Sequence, residues 1–529
     1  MRGAIHRVAV LILIAVLIAS TLLILYTKNI ITPPLGEMEE KPGEKPSKAE
    51  EKPIVGEKPK GIRGDRFGFV CFDEEAIEDL SLGWVRPHPG PFIWGRIESK
   101  EGRYDFSEAD EVVRRAQEMG LNILATIWPY AEWDQERWGD IERFVMEDFP
   151  ELPRSRYKPY DMEAYREFVK ALVERYDGDG VDDMPGLERP IKYWEVLNEP
   201  STGVKAKLHG KRKAFFMGDA EDYFEILKAT YEAVKEADPE AKVLNGGMIP
   251  LPPPDDPFYK FWMRVFELGG AEYVDVLNFH ALSKMLTESI PLLKESFGEY
   301  IEGKPIWVTE FSAEEAELYV EAARVFADGV ERIFLTAYKA EPSMPEDLIV
   351  GSLIDFDGSL KPSYYAVKTM VMLLGDFDEA ERLNPKTYRF RAGNLTIYLL
   401  WGETPKTLSG EALKVSMMGE AEMVRVEELR PEGEPYYIVV GSRKELEELQ
   451  SRLGEIAPAG GVAVGLIWGK LPERGMKKPD VVLGQDSFES DLPPSYTRRG
   501  LFWPGAIWFD GHFLWIGEYK FSNRILRYS

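Results

Sequence analysis

The 529-residue chain contains a single cysteine, Cys71. No intramolecular disulfide can form, and a thiolate-based metal site would need more ligands than one residue offers. Cys71 falls in a stretch that reads as a first buried strand, so it is expected to be a small core hydrophobe rather than a reactive thiol. Side-chain amides are scarce as well, with eight Asn and four Gln. Combined with abundant Glu, Lys and Arg, this resembles a hyperthermophile composition. Positive charge is also in deficit: 65 Lys and Arg against 91 Asp and Glu leave a net charge of −26. A surface of that sign argues against nucleic acid and against adhesion to anionic lipid heads. What the chain does have is apolar material, 44% hydrophobic and 12% aromatic residues, enough for large cores in two or three units.

One apolar run is long enough to matter for a membrane. Val8 to Tyr26 is interrupted only by Ser20 and Thr21 and follows Arg2, His6 and Arg7. About 20 apolar residues span the hydrocarbon, and a basic flank before the span leaves the remainder outside the cell. Residues 1–27 are therefore expected to be a single-pass anchor at the cell membrane. The alternative is a signal peptide cleaved near Ala19-Ser20, which would make the protein secreted. Residues 28–61 repeat Glu, Lys and Pro with almost no apolar content and read as a disordered, stiffened tether.

From residue 62 to about 375 apolar runs alternate with segments of helical spacing. The runs are Phe67–Phe72, Leu82–Arg86, Asn122–Trp128, Tyr193–Asn198, Lys242–Gly247, Val274–Phe279, Ile306–Thr309 and Arg332–Tyr338. Between them, Ser107-x-x-Asp110 reads as a helix start, and Tyr165, Phe168, Val169, Leu172 and Val173 make an apolar stripe. Eight alternating βα units over this length suit a (β/α)8 TIM barrel. In such a barrel the functional groups gather at the C-terminal ends of the strands.

Two of those ends carry glutamates. Tyr193-Trp194-Glu195-Val196-Leu197-Asn198-Glu199-Pro200 closes the fourth run, and Trp307-Val308-Thr309-Glu310-Phe311 the seventh. An unpaired carboxylate has no stabilising role in a core, because burying its charge is costly. Two carboxylates facing one cleft supply what glycoside hydrolysis requires, an acid/base and a nucleophile. Arg86 and His88 after the second run, Trp128 after the third, Asn278 and His280 on the sixth and Tyr338 on the eighth add polar and aromatic groups at the same level.

These stretches, with Gly83–Arg86, Gly90-Pro91-Phe92-Ile93-Trp94 and Arg175-Tyr176-Asp177-Gly178-Asp179-Gly180, resemble glycoside hydrolase clan A, near families 39 and 5. The resemblance implies a retaining enzyme that cleaves β-glycosidic bonds of oligo- or polysaccharides through a glycosyl-enzyme, with no cofactor and no metal. It implies Glu199 as acid/base, Glu310 as nucleophile, Asn198 on the substrate 2-hydroxyl, Arg86 holding Glu310 ionised, and His280 in the network around them. Trp128 is expected to stack on sugar. Many clan members end the eighth strand in tryptophan; here Tyr338 is the nearest substitute for that platform. The rival from another class is a catalytically inactive carbohydrate-binding surface protein on the same barrel.

Asp177-Gly-Asp179-Gly-Val-Asp182-Asp183 resembles the start of a calcium loop, but its glycines and the nearby prolines favour a polar turn. After residue 376 short alternating strands separated by glycines predict a small β-sandwich over 376–441. The β-rich tail, 442–529, contains Gly465–Pro472, Pro479–Gln485 and Phe513–Gly517 through Leu526, which resemble an NHL-type propeller blade. A lone blade leaves open edges, so the tail is a candidate for pairing with another chain.

Overall fold

A computed structural model describes residues 64–146, 149–203, 214–249, 254–282, 285–341, 344, 346–402, 405, 408–429, 432–456, 504–509, 514–518 and 525–528. The apolar run Val8–Tyr26 and the tether lie outside these residues. Among the described residues no helix is long and apolar enough to cross a membrane.

The eight strands are β1 (Gly64–Val70), β2 (Leu82–Arg86), β3 (Asn122–Ile127), β4 (Tyr193–Val196), β5 (Lys242–Asn245), β6 (Leu277–Leu282), β7 (Ile306–Ser312) and β8 (Val330–Leu335). They form one parallel sheet in the order β5-β4-β3-β2-β1-β8-β7-β6. Isolated parallel bridges, Leu244–Val276 and Met248–Phe279, join its two ends. The sheet is thereby a (β/α)8 barrel, as the alternation of runs predicts.

Each strand is followed by a helix: α1 (Glu74–Asp79), α2 (Ser107–Glu118), α3 (Met162–Glu174), α4 (Ala220–Ala237), α5 (Pro257–Glu267), α6 (Met285–Ile301), α7 (Ala316–Ala322) and α8 (Pro362–Leu374). Several start on aspartates whose side chains accept the first free amides: Asp73 from Ala76, Asp161 from Ala164, and Asp219 in a full capping box with Asp222. α2 begins at Ser107, as its sequence predicts, but without a capping box. It has Phe106 at its N-cap, and Asp105 accepts from the Ser107 amide at 3.0 Å.

The barrel interior is sealed from below by aromatics. Tyr193 and Trp307 stack at 4.6 Å, Trp84 meets both edge-on, and the Arg332 guanidinium lies 4.6 Å over Trp84 and 4.4 Å over Trp307. Asp65 binds Arg332 at 2.7 Å. This layer closes the lower end of the barrel, and the polar groups of the site lie above it.

The β-domain after the barrel is a six-stranded antiparallel sheet, order β13-β12-β14-β11-β10-β9. Its strands are β9 (Glu379–Asn384), β10 (Thr387–Ala392), β11 (Leu395–Gly402), β12 (Glu411–Ser416), β13 (Ala421–Arg425) and β14 (Glu432–Val440). One face, through Phe390, Leu399, Leu413 and Val439, joins the same core as Val371 and Leu374 of α8. β9 escapes sequence reading because this edge strand is largely exposed and charged. The tail opens on a helix the apolar pattern did not announce, α9 (Arg443–Ile456), which buries Leu446, Leu449 and Leu453. Further on, β15 (Pro504–Phe509), β16 (Leu514–Glu518) and β17 (Ile525–Tyr528) form a three-stranded antiparallel sheet. The other propeller-like stretches, Gly465–Pro472 and Pro479–Gln485, lie outside the described residues.

Candidate active site

Four strands bring their polar residues to one level at the top of the barrel. β2 ends in Arg86, β6 carries Asn278 and His280, and β7 runs past Thr309 and Glu310 to Ser312. β4 stops at Val196, and the chain leaves it with positive φ at Leu197 (66°) and Glu199 (39°). Such angles cost non-glycine residues about 1–3 kcal/mol each. A regular strand would send Asn198 and Glu199 to opposite faces. With the bend, both reach the same cleft.

Arg86 is the hub. It is fully buried and donates from Nε to Glu195 Oε2 at 2.7 Å, from Nη1 to Glu310 Oε1 at 2.8 Å and from Nη2 to Asn198 Oδ1 at 2.6 Å. His280 lies across from it. Its Nδ1 is 3.0 Å from Glu199 Oε1 and 3.6 Å from Glu310 Oε2, and its Nε2 is 2.9 Å from Thr309 Oγ1. The ring fits because residue 247 is glycine: a Cβ there would overlap the imidazole. Glu199 and Glu310 keep 19% and 23% of their side-chain surface accessible, so both face a cleft that solvent enters. One oxygen of each lies within 4.8 Å of the other and of His280.

The electrostatics separate these groups. Burial pulls the Glu310 carboxyl up, but His280 and Arg86 outweigh it and hold Glu310 well below the usual carboxylate range. Burial disfavours the His280 imidazolium, yet Glu310 and the hydrogen bond to Glu199 outweigh that and raise it. Burial, with Arg86 second, pushes His88 down to about 3, so this ring is neutral and adds no charge beside Glu310. Glu199, His280 and Glu310 have a spacing that a divalent cation could also span. The Arg86 guanidinium at 2.8 Å from Glu310 opposes a second positive charge there.

The structure thus gathers Arg86, Asn198, Glu199, His280 and Glu310, and it places two other candidates elsewhere. Trp128 is fully buried, packed on His88, Tyr130 and Phe215, with no face open to a sugar. Tyr338 lies beyond the end of β8, is 4% exposed, and its hydroxyl donates to Asp79 at 2.9 Å beside Lys368. Neither is a stacking platform. Cys71 is a further correction. It stands just past β1 with φ 70°, exposed at the cleft and donating to the His88 carbonyl at 3.5 Å. The cleft walls and nearby Glu310 push its thiol up to about 11.

Glu195, Thr126, Asn245 and Asn278 complete the network under the site. The signal for Glu195 was present in the sequence: a charged residue inside an apolar run demands a buried partner. At Asp177–Asp183 the side chains accept backbone amides, Gly180 to Asp183 at 2.8 Å and Val181 to Asp179 at 2.8 Å, as in a polar turn.

No family model matches the chain. Its structure is similar to a family 39 glycoside hydrolase from the gut symbiont Bacteroides cellulosilyticus WH2, with 17% identity, 73% of this chain and 83% of that chain covered, and a TM-score of 0.51. It is also similar to a monomeric β-xylosidase from Caulobacter crescentus CB15 (14% identity, 72% and 96% covered, TM-score 0.49). A glucosidase from Croceicoccus marinus has 14% identity, 72% and 96% covered, and a TM-score of 0.46. The first of these likenesses establishes a shared (β/α)8 fold.

Proposed function

We propose that the chain is a retaining glycoside hydrolase that cleaves β-glycosidic bonds by double displacement, held outside the cell by residues 8–26. One observation carries this reading: carboxylates from two strands, one gripped by Arg86 and one by His280, face each other within 4.8 Å at the barrel mouth. Retention needs carboxyl groups about 5–5.5 Å apart, whereas inversion leaves about 6.5–9.5 Å for a water. The similar Bacteroides protein, described as a family 39 glycoside hydrolase, agrees with a carbohydrate substrate.

In the first step the ionised Glu310 attacks the anomeric carbon. The bond to the leaving oxygen breaks, and that oxygen takes the proton from Glu199. In the second step a water attacks the same carbon, its proton passes to Glu199, and the bond to Glu310 breaks. Asn198 contributes its Nδ2 amide to the sugar, because its Oδ1 is taken by Arg86 at 2.6 Å.

The test is turnover of a panel of 4-nitrophenyl β-glycosides and β-glycans at elevated temperature, with Glu310→Ala abolishing it. Azide added to Glu310→Ala with an activated substrate should yield a glycosyl azide of inverted configuration. A wild type that binds glycans and turns over none of them would replace this reading with the sugar-binding one.

A further inference from the structure

Glu195 is fully buried on β4, so no substrate touches it, yet it joins both halves of the site. We propose that Glu195 is a positioning residue with two outputs: it aims Arg86 at Glu310, and through Asn278 and Thr309 it fixes which nitrogen of His280 faces Glu199. The kinetic consequence rests on the hydrolase reading; the hydrogen-bond polarity does not.

The first output is direct. Glu195 Oε2 accepts from Arg86 Nε at 2.7 Å and from Thr126 Oγ1 at 2.5 Å. With one edge of the guanidinium pinned, its two remaining nitrogens can point only at Glu310 and Asn198.

The second output follows from counting protons. Asn278 Nδ2 donates to Glu195 Oε1 and to the Asn245 carbonyl, 3.1 Å away; neither can donate back, so the amide has one orientation. Asn278 Oδ1 must then accept, and the Thr309 hydroxyl donates to it at 2.7 Å rather than to Glu195 at 3.4 Å. Thr309 has a single proton, so towards His280 Nε2 at 2.9 Å its oxygen accepts. Nε2 therefore carries a hydrogen in every state. The titrating proton lies on the 3.0 Å line between His280 Nδ1 and Glu199 Oε1. The acid/base is thus a pair sharing one proton, and its titration belongs to the pair. A shared proton that rests on Nδ1 crosses this line to Glu199 as the leaving oxygen takes it; the pair is then without it and free to accept the proton of the attacking water. The charged and titratable groups facing the pair are Arg86 on β2 and His88 just after it, Glu195 from β4 and Glu310 from β7, with Cys71 after β1 close to Glu310.

Glu195→Gln preserves volume and turns one acceptor into a donor. Facing Asn278, the new amide opposes a donor and favours reversing the chain; facing Arg86, it withdraws the pin. Its expected effect is about 10²-fold on kcat from the misplaced groups, with KM little changed because no substrate contact is lost. Removing a nearby negative charge lowers proton affinity, so both limbs of the pH–rate profile move to lower pH. In the full chain, 15N-histidine NMR should show His280 Nε2 protonated throughout and Nδ1 titrating, with the signals assigned through a His280→Asn variant. Thr309→Val, which cuts only the second output, should let Nε2 lose its proton instead. Should Glu195→Gln fail to fold, Thr309→Val decides the second output alone. The proposal is overturned by pH limbs that stay in place while kcat falls uniformly, or by a wild-type His280 whose Nε2 is the titrating nitrogen. Absence of any glycoside turnover by wild type would defeat the hydrolase reading and leave the NMR result to decide the polarity.

Discussion

Replacing Arg86 by lysine keeps the charge and removes the geometry, which separates the two things this residue supplies. The guanidinium makes three charge-assisted bonds from one plane, to Glu195, Glu310 and Asn198 at 2.7, 2.8 and 2.6 Å. A lysine ammonium is a compact point donor on a flexible stem and cannot meet all three directions. Losing two such bonds costs about 1.5–3 kcal/mol each, so Arg86→Lys should be several kcal/mol less stable in urea. Arg86→Ala should be destabilised by about 3–5 kcal/mol, because Glu195 then stays in the core with no counter-charge. On the proposed mechanism, the fork is what holds Glu310 beneath the anomeric carbon. A misplacement near 1 Å costs about 10²-fold in rate, equivalent to about 2.7 kcal/mol of transition-state stabilisation. The assay is kcat and KM of Arg86→Lys on whichever aryl β-glycoside the wild type turns over fastest. The expected result is a fall in kcat of that size with KM nearly unchanged. A kcat within about threefold of wild type, under 1 kcal/mol, would show that charge alone suffices and would refute the positional argument.

Four further outcomes are expected. Gly247→Ala places a methyl against the His280 ring and should reduce kcat about 10²-fold; retained activity would mean that the ring does not need its present seat. Glu310 is held low by His280 and Arg86 against burial, so its ionisation contributes stability that is present above an unfolded value of about 4.3 and lost as pH falls through the folded value. Melting temperatures measured from pH 3 to 7 should therefore drop more steeply on the acid side for wild type than for Glu310→Gln. His280 has the opposite sign: raised by Glu310 and Glu199 against burial, it contributes below about 6.5 and that contribution is lost as pH rises through its folded value, so His280→Asn should flatten the neutral-to-alkaline side. Deleting residues 1–60 should release a soluble chain with full activity, since none of the site residues lies there, whereas full-length material should stay with membranes through a high-salt wash.

The sequence by itself determined the barrel and its polar rim. Eight short apolar runs at βα spacing admit few other folds, and a glutamate at the end of a buried run is visible locally because its charge has no place in a core. Arg86, Asn198, Glu199, His280 and Glu310 were legible for that reason. Propensity and periodicity report how buried a position is, but not what it touches. Trp128 and Tyr338 look alike from the sequence as candidate platforms; only packing from His88, Phe215 and Asp79 shows that both are occupied. Cys71 reads as core until β1 is seen to end at Val70, which leaves the thiol at the cleft. β9 carries an exposed pattern because edge strands need no apolar alternation on both faces. Tertiary structure also decided the positive φ at Leu197 and Glu199, which turns two successive side chains into one cleft. It alone placed Glu195 in the network: its partners Arg86 and Asn278 lie 109 and 83 residues away, and only closure of the barrel brings their donors to one carboxylate.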